Sequence, residues 1–431
     1  MRRVRITGIS VLSILLAFVI ITVLFFSKPS QVPDFVGLND DNTPLTSSPE
    51  SSQEPLREKR ESAAFSVVRD MKAGWNLGNS LESLDHQKRG INSELTTITA
   101  EEYYETLWGN PVTTAKTIAG IAEMGFGAVR LPVTWQDHMD DEYHISLTWL
   151  KRVKDVVDYV LANDMYCIIN LHHDTGEGTW PWLKADPDNL AESERILRFV
   201  WKQIAEYFHD YGDKLVFESF NELLDNNGRW SDSAPECYEA VNRLNQVFVD
   251  AIRATGGLNS QRFLIVTPYA ASPYGVDLKH YRLPTDTVED RLIASVHTYV
   301  PLGFTWQESA LSWAETYSEW DWNNSAGERE LAAILRSIGS HLVNKGIPVI
   351  ISECGAWNKN NSDERIAYVE FLIREASEYQ IACFWWDEGG TSAAPERTTS
   401  SALYDRYNDR WIFPDVAKAF VKAAEEAWIE E

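Results

Sequence analysis

Eight short apolar runs alternate with amphipathic stretches from about residue 65 to the end of this 431-residue chain, and this alternation constrains its fold most strongly. Between the runs, stretches such as residues 147–164 carry apolar residues at helical spacing. Alternating strands and helices indicate parallel βαβ units, and eight of them predict an α/β fold, a (β/α)8 TIM barrel in a single domain. The predicted strands are residues 73–77, 127–133, 166–172, 215–221, 263–269, 292–299, 348–354 and 381–386.

The main alternative to a barrel is a doubly wound open sheet. Such sheets usually bind nucleotides through a glycine-rich turn that follows a strand. Neither a GxGxxG pattern nor a P-loop follows any of the eight runs. The sequence therefore favours the barrel, and no second domain fits after the last helical stretch, residues 414–428.

The first 27 residues predict an export segment. Three arginines stand within the first five residues, and an apolar stretch follows at 9–26. This stretch suits either a cleaved signal peptide or a retained membrane anchor with its positive end inside, and both alternatives stay open. Residues 28–64 are rich in Ser, Pro and Glu, which predicts a disordered linker, and the folded domain is expected at 65–431. Either fate of the segment places that domain outside the cytoplasm, secreted or held at the cell surface.

Charge and composition limit the partners of the domain. The formal net charge of -25 argues against nucleic acid, which is a polyanion, and fits a neutral substrate. The 17 tryptophans are suited to stacking on flat, weakly polar rings such as sugars, although a large core also absorbs tryptophan. We expect a monomer.

The four cysteines do not have the spacing of metal ligands or of a redox pair. Cys167 and Cys383 lie in apolar runs, so free buried thiols are expected. One bridge between Cys354 and Cys383 stays open as an alternative.

Polar and aromatic residues end six of the predicted strands. In a (β/α)8 barrel these strand ends meet at one face, where active sites lie. Convergence of so many ionisable and aromatic groups is hard to explain by packing. The residues at these ends are Arg130, His172, His173, Asp174, Asn221, Glu222, His297, Tyr299, Glu353, Trp385, Trp386 and Asp387.

Two of these residues suggest glycoside hydrolysis. Glu222 and Glu353 are three βα units apart, so they are expected to face each other across the barrel mouth. One carboxyl group must protonate the leaving oxygen, while the other attacks the anomeric carbon or activates water. The architecture predicts a separation of about 5–5.5 Å, which is the retaining geometry. Glu218 lies deeper on the same strand, and we expect it to be buried and structural, bonded to an inward polar group of a neighbouring strand.

Two other chemistries are disfavoured. A metal-dependent barrel hydrolase usually needs His and Asp ligands on early strands, and the first run, 73–77, supplies none. The neighbouring His172 and His173 are expected to point to opposite faces of a strand. A GxSxG nucleophile elbow does not occur in the sequence. We therefore expect no metal and no cofactor.

Eight short motifs occur in an order that resembles a known enzyme family. They are GWNLGNSLES, WGNPVTT, GFGAVRLPVTW, INLHHD, FESFNE, VHTY, ISECG and FWWDEGG. Together, over about residues 70–420, they resemble glycoside hydrolase family 5, of the bacterial endo-β-1,4-glucanase and xyloglucanase type. The resemblance implies that Glu222 is the acid/base and Glu353 the nucleophile. It also implies that Arg130 keeps Glu353 ionised, that Tyr299 hydrogen-bonds Glu353 and that His297 orients Glu222.

The resemblance further implies which residues bind the sugar. His172 and Asn221 resemble residues that bond hydroxyl groups beside the cleavage point. Trp386 resembles the aromatic floor there, with the adjacent Trp385 as the alternative. The remaining candidates for substrate binding are His173, Asn76, Trp108, Trp180 and Trp182.

The implied activity is that of a retaining endo-β-1,4-glucanase. Its expected substrates are cellulose-like glucan, mixed-linkage β-glucan or xyloglucan. Activity on mannan or xylan is an alternative, because related enzymes share the same core residues. A carbohydrate-binding barrel without catalysis is the alternative from another class, and the presence of both carboxylates with their partners disfavours it.

Overall fold

Eight parallel strands close into a barrel, which confirms the predicted fold. A computed structural model describes residues 61–85, 98–306, 326–389 and 400–429 of the chain. Hydrogen bonds join the strands in sequence order, and the first strand also pairs with the eighth. The strands are β1 Ala73–Leu77, β2 Ala128–Leu131, β3 Tyr166–Asn170, β4 Leu215–Glu218, β5 Leu264–Val266, β6 Leu292–His297, β7 Val349–Cys354 and β8 Ala382–Asp387.

Helices surround the barrel and connect its strands. Among the described residues they are α1 Ala63–Met71, α2 Ala100–Thr106, α3 Ala115–Met124, α4 Leu147–Ala162, α5 Leu190–Tyr207, α6 Pro235–Ala254, α7 Gly275–Leu278, α8 Leu302–Thr305, α9 Ala326–His341, α10 Ser362–Ser377 and α11 Pro414–Ile429. Helix α3 shows how sequence sets such bounds. The Thr114 side chain caps its first turn, and Gly125 ends it with a φ of 107°, a conformation that favours glycine. A two-stranded hairpin, β9 Tyr404–Asp405 and β10 Arg410–Trp411, precedes α11.

The inside of the barrel has an apolar layer below a polar layer, because inward-facing residues recur at every second position of a strand. The apolar layer consists of Ala128, Ile168, Val216, Ile265, Ile293, Ile350 and Phe384. Phe384 fills the space beside Gly74, where a Cβ atom would lie 2.1 Å from its ring. Two residues farther along the strands stand Asn76, Arg130, Asn170, Glu218, Ser295, Ser352 and Trp386. The polar layer therefore forms the base of the barrel mouth.

Helix α1 packs against the apolar layer at the N-terminal end of the barrel. Its buried residues Ala64, Val67, Val68 and Met71 join the cluster that the inward strand residues form. This helix was not predicted. The helix begins at Ala63, two residues before the predicted start of the folded domain at residue 65.

The remaining terminal predictions lie outside the described residues. These are the export segment at 1–27 and the linker up to residue 60. In the part of the chain that the structure describes, no helix is both long enough and apolar enough to cross a membrane.

All four cysteines are buried free thiols, as expected. The alternative bridge between Cys354 and Cys383 is not formed. Cys354 instead donates a hydrogen bond of 3.3 Å to the backbone carbonyl of Phe384.

Candidate active site

Arg130 is the centre of the polar layer and donates hydrogen bonds to four side chains, those of Asn76, Glu218, Asn221 and Glu353. It is fully buried, and its Nη1 atom donates to Oε1 of Glu353 at 2.7 Å. Its Nε atom donates to Oε2 of Glu218 at 2.7 Å, and its Nη2 atom donates to Asn221 at 2.9 Å. Burial opposes the charge of the guanidinium, but the two carboxylates outweigh burial and raise the pKa of Arg130. Arg130 therefore stays a cation in contact with Glu353.

Glu222 and Glu353 meet at the barrel mouth with His297 between them. Nδ1 of His297 lies 2.8 Å from Glu222 and 3.6 Å from Glu353. One ring nitrogen and one oxygen from each carboxyl group lie within 4.8 Å of one another. The Tyr299 hydroxyl donates to Oε2 of Glu353 at 3.0 Å. The predicted contacts of His297 and Tyr299 are confirmed.

The two carboxyl groups have different electrostatic surroundings. Burial raises the pKa of Glu222 to about 7, and a charge on Glu177 adds to this rise while Arg130 opposes it. Burial also raises the pKa of Glu353, and although Arg130 acts to lower that pKa, as expected, burial is the larger effect. His297 and Arg130 act against that rise, and Arg130 does so by direct hydrogen bonding. Burial lowers the pKa of His297 to about 4, which leaves its imidazole neutral at neutral pH.

Glu218 is buried and bonded to an inward polar group of the neighbouring strand β3, as predicted, and it also bonds to two strands that are not its neighbours. Its Oε2 atom accepts from Arg130 on β2 and, at 3.0 Å, from Asn170 on β3. Its Oε1 atom accepts from Ser295 on β6 at 2.8 Å. What the sequence did not reveal is that its main partner is the same arginine that contacts Glu353.

Aromatic rings line one side of the mouth. His172 stacks on Trp386 with centroids 5.8 Å apart and ring planes 12° apart. His173 lies edge-on to His172 at 4.6 Å and contacts Trp108 at 5.4 Å. Trp180 is 39% exposed and lies 6.2 Å from His173. The structure therefore brings together five of the residues that the sequence proposed for substrate binding.

The expectation that His172 and His173 point to opposite faces is wrong. Strand β3 ends at Asn170, so the alternation of a strand does not extend to these residues. The chain bends after β3, and the two rings meet edge to face.

Three predicted substrate-binding residues do not fit that role. Asn76 is fully buried; it accepts from Arg130 and donates to backbone carbonyls of Ser352 and Trp385. Trp385 points outward from the barrel, is fully buried, and packs against Phe420 of α11. The side chains of both residues belong to the scaffold.

Trp182 is the third of these residues. Its indole nitrogen donates to Asp174 at 2.7 Å, and its ring packs against the hydrophobic core. Trp180 is the exposed tryptophan of this loop, so it is the better placed of the pair to meet a ligand.

Several residues at the mouth were missed. Asn170 and Ser295 resemble ordinary strand residues, and only the strand register shows that both reach Glu218. Trp230 is 41% exposed, and its indole donates to Glu177 at 2.6 Å, joining the loops after β3 and β4. For Trp230, the signal available in the sequence was a tryptophan in the loop that follows Glu222.

Comparisons with known proteins agree with this geometry. The family model for cellulase, glycosyl hydrolase family 5, matches residues 88–392. Endoglucanase B of Clostridium cellulovorans is 36% identical over 372 residues, covering 85% of this chain and 77% of that protein. A family 5 lichenase of Caldicellulosiruptor sp. F32, solved as a mutant with cellotetraose, has a TM-score of 0.74 and 35% identity, covering 84% of this chain and 96% of that one.

A third similar protein is described as specific for xyloglucan. It is a xyloglucan-specific endo-β-1,4-glucanase from a metagenomic library, solved with cellotriose. Its TM-score is 0.73 and its identity 34%, covering 83% of this chain and 98% of that one.

The closed barrel and the facing carboxyl groups at its mouth define a (β/α)8 glycoside hydrolase. The match across residues 88–392 narrows the class further. The chain belongs to glycosyl hydrolase family 5, the cellulase family.

Proposed function

We propose that this protein is an endo-acting, retaining β-1,4-glucanase. The observation that carries the proposal is the placement of Glu222 and Glu353, because an oxygen of one carboxyl group lies within 4.8 Å of an oxygen of the other. Retaining glycosidases hold their carboxyl groups about 5–5.5 Å apart, whereas inverting enzymes leave about 6.5–9.5 Å for a water molecule. The close pair therefore favours double displacement.

Glu353 is assigned as the nucleophile and Glu222 as the acid/base. In the first step an oxygen of Glu353 attacks the anomeric carbon, and the bond to the leaving sugar breaks as Glu222 protonates its oxygen. This step gives a covalent glycosyl-enzyme. In the second step Glu222 takes a proton from water, the water oxygen attacks the same carbon, and Glu353 leaves as a carboxylate.

The contacts of Arg130 support this division of roles. The guanidinium bonds directly to Glu353, so the negative charge of the pair is most stable there. Glu222 contacts a neutral imidazole instead, and its raised pKa keeps it protonated up to about pH 7. A charged nucleophile and a protonated acid at one pH are what the first step needs.

The sugar between the two carboxyl groups is proposed to contact Asn221, His172 and Trp386. The side chain of Asn221 is fixed by Arg130, and Trp386 offers its ring face beside His172. Aromatic faces suit the apolar faces of sugar rings. We propose cellulose-like glucan, mixed-linkage β-glucan or xyloglucan as substrate, since similar proteins are described as an endoglucanase, a lichenase and a xyloglucan-specific endoglucanase.

The site of action is a separate proposal. The arginines before the apolar stretch at 9–26 support export, followed by either cleavage or anchoring at the membrane. N-terminal sequencing of the protein recovered from culture medium and from membranes distinguishes these fates. A full-length chain in the cytosol would contradict both. We also propose a monomer, which sedimentation of the purified protein tests.

Reducing-end release by the purified full-length chain tests the proposed activity. Carboxymethylcellulose, barley β-glucan and xyloglucan are the substrates, and mannan and xylan are tested in parallel. We expect activity on at least one β-glucan, a fall of viscosity that precedes most sugar release, and first products in the β-anomeric form. Activity on mannan or xylan alone would replace the substrate assignment. Inactivity on all five would favour a binding barrel.

A further inference from the structure

Glu218 lies one layer below the reacting carboxyl groups and is completely buried. Its Oε2 atom is shared by two donors from two strands, the Arg130 guanidinium at 2.7 Å and the Asn170 amide at 3.0 Å. One carboxylate oxygen therefore orients two side chains. Each of these begins a separate chain of contacts, or route, from Glu218 to a residue at the mouth.

The first route runs through Arg130 to Glu353. The guanidinium lies between two carboxylates, with 2.7 Å contacts to Glu218 and to Glu353. A cation shared by two anions stabilises each of them less than it would stabilise one alone. Glu218 therefore limits how strongly Arg130 holds the charge of Glu353.

The second route runs through Asn170 to His172. The Asn170 carbonyl oxygen accepts from the backbone N–H of Val133 at 3.2 Å, which fixes the orientation of the amide. Its NH2 group then faces both Glu218 and, at 3.2 Å, Nδ1 of His172. An amide NH2 is only a donor, so Nδ1 must accept and Nε2 must carry the hydrogen. Burial, with His173, Arg130 and His297 adding to it, lowers the pKa of His172 well below its ordinary value, so the ring is neutral.

We propose that Glu218 is a positioning residue for hydrolysis. Through Arg130 it limits how strongly the negative charge on Glu353 is stabilised, and through Asn170 it makes Nε2 of His172 a hydrogen-bond donor to the sugar. The inference rests on the proposed function. It assigns the buried carboxylate an influence on the reaction that a purely structural residue would not have.

The pH profile reports the first route. Four groups face Glu353, namely Arg130 from β2, Glu222 after β4, and His297 and Tyr299 at the end of β6. Glu218 acts on Arg130, and the other groups around it, Asn170 and Ser295, are neutral. Without the charge of Glu218, Glu353 would be the only carboxylate in contact with Arg130. Glu353 should then ionise at lower pH and become a weaker nucleophile.

Glu218→Gln tests this with little change of shape. The Gln oxygen still accepts from Arg130 and Asn170, and its NH2 group can donate to Ser295, whose hydroxyl can then donate to Ser352 at 2.5 Å. The acidic limb of kcat/KM is expected to shift down by about half a pH unit to one unit. The kcat value is expected to fall about tenfold. Ser295→Ala is the matched control, since it removes a hydrogen bond to Glu218 but no charge, and its acidic limb should stay in place.

The two proposals fail in different ways. If the wild-type chain releases no reducing ends, the proposed function is wrong whatever Glu218 does. Suppose instead that the wild type is active, and that Glu218→Gln has a lower melting temperature but the same acidic limb of kcat/KM as the wild type. Glu218 is then structural only, and this inference is overturned.

A measurement on the wild type covers the case in which Glu218→Gln does not fold. Nitrogen-15 NMR of the histidine rings separates protonated from bare ring nitrogens, and the loss of signals in His172→Gln assigns those of His172. A hydrogen on Nε2 supports the second route. A hydrogen on Nδ1 would show that Asn170 does not set the ring as proposed, and would overturn that route.

Discussion

Tyr299 donates a 3.0 Å hydrogen bond to Oε2 of Glu353, the oxygen that Arg130 does not contact. Each oxygen of this carboxyl group thus has its own donor, from β2 on one side and from the end of β6 on the other. Burial first, and the nearby carboxyl groups second, raise the pKa of Tyr299 well above its ordinary value. The phenol therefore remains a hydrogen-bond donor at neutral pH, and its hydrogen bond orients the carboxylate of Glu353.

Replacing Tyr299 by Phe should slow the reaction without unfolding the protein. The change removes a donor that stabilises charge on Glu353, so kcat is expected to fall by about 100-fold, with little change in melting temperature. Tyr281→Phe is the control, because the buried Tyr281 hydroxyl has no hydrogen-bond partner among the described residues. A Tyr299→Phe enzyme with wild-type kcat would show that this hydrogen bond does not assist the reaction.

Azide can distinguish the roles of the two carboxyl groups. In Glu353→Ala, azide can occupy the space of the lost side chain and displace an activated leaving group directly, which inverts the configuration and yields an α-glycosyl azide. In Glu222→Ala, the covalent intermediate on Glu353 still forms from such a substrate, and azide attacks it from the other face to yield a β-glycosyl azide. NMR of the products identifies the anomer.

Both azide outcomes are needed for the assignment. Without azide, each variant should lose at least about 1000-fold of its activity on β-glucan, because each lacks one half of the acid and nucleophile pair. Exchanged anomers, with β-azide from Glu353→Ala, would reverse the roles of Glu222 and Glu353.

The strand cores could be predicted from sequence because each is an apolar run of limited length. The predicted run at 215–221 contains β4, which ends earlier, at Glu218. The chain then bends at Asn221, and Asn221 and Glu222 reach the mouth from beyond the end of the strand. Apolar residues such as Phe220 continue past the strand end because they pack outside the barrel. Composition alone does not distinguish them from the apolar residues within the strand.

Residue roles that depend on register were harder to predict. Asn76 stands in a motif like the sugar-binding residues, yet it lies in the polar layer and bonds to Arg130. Trp385 and Trp386 are adjacent in sequence, but strand alternation sends the first to the helical shell and the second to the mouth. Helix α1 was missed because its nine residues are too few to show a clear helical period before the first strand.

Removal of metal ions should leave the activity unchanged. Glu222, His297 and Glu353 offer donor atoms within 4.8 Å, a set that could bind a divalent cation. Arg130, however, already contacts Glu353, and a second cation beside it would be repelled. Reducing-end assays after dialysis against EDTA, then with added Zn²⁺, Mn²⁺ or Ca²⁺, measure this. Activity that is lost on chelation and restored by one ion would show a metal requirement.

The alkaline limb of kcat/KM is expected near pH 7. Burial raises the pKa of Glu222 to about 7, so its proton is present below that pH and is lost as pH rises through it. Above the limb, kcat/KM should fall about tenfold per pH unit for a natural oligosaccharide, whose leaving group needs that proton. A 2,4-dinitrophenyl cellobioside, whose leaving group needs no proton, should lack the limb in kcat/KM. If both substrates lose activity in parallel above pH 7, a group other than the acid controls this limb, and Glu222 is not the proton donor.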